Sequence, residues 1–129
     1  MMGDSKALAI RIATVADAKG ATDIVALDVS SILGYTDVLV ICTARNERQA
    51  KAIADEVQFR LKHDDELLPR RVEGLPEARW VLVEYLDCIL HVFVDETRDL
   101  YRLDQLWGEA PRIDLGLPEE PPARAVGES

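Results

Sequence analysis

The chain has 129 residues, 48% of them hydrophobic, which suits one domain with its own core. A formal net charge of −9 argues against a nucleic-acid binder, whose affinity rests on Lys and Arg meeting phosphates. No run of about 18 apolar residues is present, so no membrane span is expected, and MMGDSKALAIRIA does not read as a signal peptide, which makes a cytoplasmic location the expectation.

SKALAIRIATVADAKG (5–20) reads as a helix, with Ser5 as N-cap, Leu8, Ile12, Val15 and Ala16 on one face, and Gly20 as the stop. TDIVALDV (22–29) reads as a strand and SSILGYT as a loop. DVLVICT (37–43) is apolar on both faces, as in a central strand. NERQAKAIADEVQFRLKH (46–63) is the plainest helix, because Ala50, Ile53, Ala54, Val57 and Leu61 recur at helical spacing. Asn46 and Gln49 resemble a capping box, and Arg60, Lys62 and His63 suit the negative end of the dipole.

LLPRRVEG (67–74) is at best an edge strand, since Pro69 removes a ladder donor. ARWVLVEYLDCILHVF (78–93) reads as an antiparallel hairpin turning at Leu86-Asp87. TRDLYRLDQLW (97–107) gives further helical turns. The Pro-, Gly- and Glu-rich remainder reads as a disordered tail, dividing the chain into a domain over 1–107 and a tail over 108–129. The order α-β-β-α-β-β-β-α predicts an α/β fold, a mixed sheet of about five strands packed with helices.

A turn at Leu86-Asp87 sets the hairpin register. Val81, Val83, Tyr85, Cys88, Leu90 and Val92 then share an apolar core side. On the other side Trp80 faces Phe93, Leu82 faces His91 and Glu84 faces Ile89. That mixed side is either covered by another helix or presented to a partner, and its tryptophan among aliphatic and polar groups has the composition of a binding hot spot.

Catalytic readings are weaker. His91 has no assignable nucleophile beside it, and Glu84, diagonal to it, could form an acid/base pair or a plain ion pair. Ser30-Ser31 before Asp37 suggest the loop and metal-binding strand of a nucleotidyltransferase, but Leu39 occupies the second carboxylate position. No nucleotide loop motif is present, and Cys42 and Cys88 lie in apolar runs without metal-ligand spacing. No catalytic residue, cofactor or metal is expected.

Taken in series, several stretches resemble one family, the ribosomal silencing factors, also called the Iojap-related family. They are TDIVALDVS (22–30), TDVLVICT (36–43), Arg48-Gln49, Val72-Glu73-Gly74, Trp80-Val81-Leu82-Val83, Asp87, His91-Val92-Phe93, Arg98, Tyr101-Arg102-Leu103 and Leu106-Trp107. The resemblance implies a nucleotidyltransferase-like fold without activity. It also implies a homodimeric repressor that binds the large ribosomal subunit at the ribosomal protein numbered fourteen and blocks joining of the small subunit. It makes Trp80 the leading partner contact, with Leu82 and Phe93 on its face and His91 ordering that face. Asp37, Glu73 and Asp87 are further contacts suited to a basic partner. The family's usual glycine at position 86 is Leu86 here. The readings set against this one are a nucleotide-binding enzyme related to nucleotidyltransferases and a dimeric interaction module.

Overall fold

The structure, a computed structural model, describes residues 2–32, 34, 36–95 and 110–117. Its elements are α1 (Met2–Ala18), β1 (Thr22–Asp28), β2 (Val38–Ala44), α2 (Glu47–Asp65), β3 (Arg71–Glu73), β4 (Trp80–Glu84) and β5 (Cys88–Val94). The five strands form one mixed sheet in the order β1-β2-β5-β4-β3. β2 and β5 run parallel, and every other neighbouring pair is antiparallel. The predicted helix over 97–107 lies outside the described residues.

Both helices cover one face of the sheet. Ile12, Ala13 and Ala16 of α1 and Ile53, Val57 and Leu61 of α2 share a core with Val38, Val40, Val81, Val83, Leu90 and Val92. α1 ends as predicted at Gly20, whose φ of 90° closes a Schellman motif: Ala21 N–H donates to Ala16 and Gly20 N–H to Asp17, each at 3.0 Å. α2 starts at its Asn46 cap, whose side chain accepts from Gln49 N–H at 2.8 Å. The box is not closed reciprocally. Gln49 Oε1 instead accepts from Arg45 N–H at 2.8 Å, and its Nε2 donates to the Lys19 carbonyl at 3.3 Å, tying the end of α1 to the start of α2.

Two expectations differ. Ser5 is not a cap, because α1 begins earlier; its buried hydroxyl donates to Asp37 Oδ2 at 2.7 Å. The turn at Leu86-Asp87 stands where predicted, with Tyr85 N–H donating to Cys88 at 2.9 Å. Neither turn residue has positive φ, so this turn does not need the glycine that a primed turn requires.

The second concerns the tail. Residues 110–117 do not behave as a disordered tail but lie along the outer edge of β1. Asp28 N–H donates to Pro111 at 2.8 Å, Ile113 N–H donates to Ala26 at 2.9 Å, and Leu27 and Arg112 form a bridge. Ile113, Leu115 and Leu117 pack against the helix-side core. Averaged composition hid their period-two spacing, which is the signal of an extended segment with one buried side.

Gly74, the last residue of the Val72-Glu73-Gly74 motif, lets the backbone of β4 approach closely. It has a φ of 89°, and a Cβ there would lie 2.1 Å from the Trp80 carbonyl oxygen. Gly74→Ala is therefore expected to lose at least about 1–3 kcal/mol of stability from backbone strain alone, measured by denaturant unfolding. An unchanged midpoint would refute this role.

Candidate functional site

The strand register places the predicted residues row by row on the face away from the helices. Trp80 pairs with Phe93, Leu82 with His91 and Glu84 with Ile89, as the turn position required. β2 continues the rows, with Thr43 beside Phe93, Ile41 beside His91 and Leu39 beside Ile89. β3 adds Glu73 beside Leu82 and Arg71 beside Glu84.

This face is layered. Phe93 is fully buried and His91 nearly so, within a cluster that includes Leu27, Leu39, Ile41 and Ile89. Trp80 and Leu82 are only partly buried and pack on it. The Trp80 ring stacks on Phe93 with centroids 4.9 Å apart. Its indole Nε1–H donates to His91 Nδ1 at 3.0 Å. With Nδ1 accepting, the imidazole is neutral and carries its proton on Nε2. Burial agrees, pushing the His91 pKa down from 6.5 to about 4. Phe93 and His91 therefore lie beneath the surface and hold Trp80, while Trp80, Leu82 and Val25 of β1 are partly exposed on it.

The His91–Glu84 pair considered from sequence does not form. Glu84 binds arginines instead, with Oε1 3.0 Å from Arg71 and Oε2 4.0 Å from Arg70. Glu73, exposed at the sheet edge, lies 3.1 Å from Arg71. These pairs form a charged rim beside Leu82 that pattern reading missed. Arg70 and Arg71 follow a proline, and only the register of β3 on β4 shows that they meet Glu84.

Asp37 and Asp87 stand apart from Trp80, at the hairpin tip. The Asp87 carbonyl accepts from the backbone N–H groups of Asp37 at 3.1 Å and Val38 at 3.2 Å, while Trp80 begins the opposite end of β4. The predicted contacts thus fall into two groups: Trp80, Leu82, His91, Phe93 and Glu73 on the sheet face, and Asp37 with Asp87 at the tip. The carboxylates considered for metal binding are separately engaged. Asp37 accepts from Ser5, and Asp28 Oδ1 accepts from Ser30 Oγ at 2.7 Å. Among the described residues, no group of three or more His, Cys, Asp or Glu could hold a metal ion. Both cysteines are buried, and burial, then the Asp87 charge, pushes the Cys88 thiol up, away from the reactive thiolate.

The geometry defines a mixed-sheet α/β domain that presents a braced tryptophan on the face opposite its two described helices. The family model described as ribosomal silencing factor during starvation (RsfS) matches residues 3–128. The chain is 40% identical over 107 residues to the ribosomal silencing factor RsfS of Bacillus subtilis, covering 82% of this chain and 90% of that protein. A crystal structure of a Chromobacterium violaceum protein matches with a TM-score of 0.75 at 28% identity, over 92% of this chain and 94% of the other. A mouse relative named mitochondrial assembly of ribosomal large subunit protein 1 is 28% identical over 93 residues, 69% of this chain and 40% of its own length. The chain belongs to the ribosomal silencing factor family. Among the described residues, no helix is long and apolar enough to cross a membrane.

The buried imidazole makes stability pH-dependent. The unfolded chain takes up a proton near pH 6.5 and the folded chain only near 4. This contribution is therefore present above pH 6.5 and lost as pH falls toward 4, by about 3 kcal/mol. His91→Gln, which keeps an acceptor for the indole, should flatten that part of the pH–stability curve. Parallel curves for the two proteins between pH 6.5 and 4 would contradict it.

Proposed function

We propose that this chain is a translational repressor, not an enzyme. In this reading it binds the large ribosomal subunit through the ribosomal protein numbered fourteen and sterically blocks joining of the small subunit, acting in the cytoplasm as a homodimer. The observation that carries the reading is the state of Trp80, which reaches the surface but is held by a stack on Phe93 and a hydrogen bond to His91. A large aromatic side chain whose rotamer is already set loses little entropy on docking, and such anchors dominate interface energetics. Leu82 extends the apolar patch, and Glu73 lies beside it at the edge. The net charge of −9 suits a basic partner and speeds encounter with it. Family membership supports action on the ribosome, and the name of the mouse relative supports the large subunit.

Sedimentation of purified subunits tests this directly. Added in excess, the protein should shift joined ribosomes to free subunits, and unchanged profiles would refute the proposal. Trp80→Ala should weaken binding to the large subunit by about 2 kcal/mol or more while the domain stays folded. A loss of about 3–5 kcal/mol in folding stability would instead make Trp80 a core residue. A melting curve paired with a pull-down separates the two outcomes.

A further inference from the structure

The sheet ends at β3, whose three residues read Arg71-Val72-Glu73. Their inner side pairs with β4, and among the described residues no strand pairs their outer side. An unpaired strand edge is a template for another chain, and proteins commonly blunt it with charge. Here the charges are arranged in a particular way. Placed antiparallel to a copy of itself about an axis through Val72, the segment is self-complementary. Val72 faces Val72 of the second copy, and each Arg71 faces a Glu73.

The surroundings fit that register. Arg71 and Glu73 point to the Trp80 side, where they pair with Glu84 and Leu82, while Val72 points to the helix-side core. Arg70 would stand opposite Gly74, which has no side chain to obstruct it. Pro69 and Pro76 bracket the segment and lack the N–H that would extend the ladder, so the pairing is short and its register is defined. Leu68, 64% exposed, would come beside Leu75 and Pro76 of the other copy.

The geometry points to β3 as a self-docking edge, where two copies join through antiparallel β3 strands into one continuous ten-strand sheet (twice the five strands of one copy). This rests on the homodimer in the proposed function and says where the two copies meet. A twofold axis normal to the sheet leaves both Trp80 faces on the same side of the joined sheet. So short an interface gives a dimer that depends on concentration.

Val72→Cys tests it in the full chain, because Cys42 and Cys88 are buried and leave the new thiol as the reactive one. With oxidised glutathione, Val72→Cys should form a disulfide-linked dimer about tenfold faster than Phe59→Cys, an exposed position on α2. Arg71→Glu sets like charges opposite each other twice per dimer and should weaken self-association about tenfold, read by light scattering. Adding Glu73→Arg restores a self-complementary strand and should recover the dimer, with the cross-linking rate at position 72 recovering in parallel. If the chain dimerises but Val72→Cys links no faster than Phe59→Cys, or the charge swap restores nothing, the β3 interface is wrong while the homodimer stands. A chain that remains monomeric at the highest soluble concentration overturns both.

Discussion

The parallel pairing of β2 with β5 is the constraint on which the rest depends. All seven residues of each strand are buried, so both faces of the sheet centre must be covered. Parallel neighbours need a crossover, and α2 supplies it on one face only. The opposite face is left to bury Ile41, Ile89, His91 and Phe93 by other means. Trp80 and Leu82 of β4 lie on that face, at the margin between buried and exposed. The tryptophan is therefore partly exposed because of where its strand sits in the sheet.

The same constraint sets the chemistry of His91. A histidine in the middle of a buried strand avoids charge, since desolvation penalises the imidazolium. Neutral, it offers Nδ1 as an acceptor, and the indole N–H of Trp80 fills that role. The histidine that first suggests catalysis is thus a brace. Removing the charged form and ordering the neighbouring ring are one physical event.

Much of this was legible in the sequence. Binary pattern located all five strands and both described helices, and the position of Leu86-Asp87 set the whole hairpin register, because side chains alternate with a period of two. What pattern missed were relations between distant segments. Ser5 at the start of α1 meets Asp37, Arg71 meets Glu84, and Gly74 must lack a side chain because the Trp80 carbonyl passes beside it. Over 110–117 the average composition of the 22 residues from 108 to 129 suggests disorder, while the structural signal lies in three alternating residues, Ile113, Leu115 and Leu117.

By itself, then, the sequence determined the order and approximate place of the described strands and helices, which hairpin residues share a face, and which family the motif series resembles. Those depend on local periodicity and on serial order, both readable along one dimension. Only the tertiary structure decided that Phe93 and His91 lie beneath Trp80, that Asp37 and Asp87 belong to the hairpin tip, and that β3, among the described strands, pairs with β4 alone. Depth, edge and proximity arise when strands far apart in the chain become neighbours, and no local pattern encodes the order in which they do so.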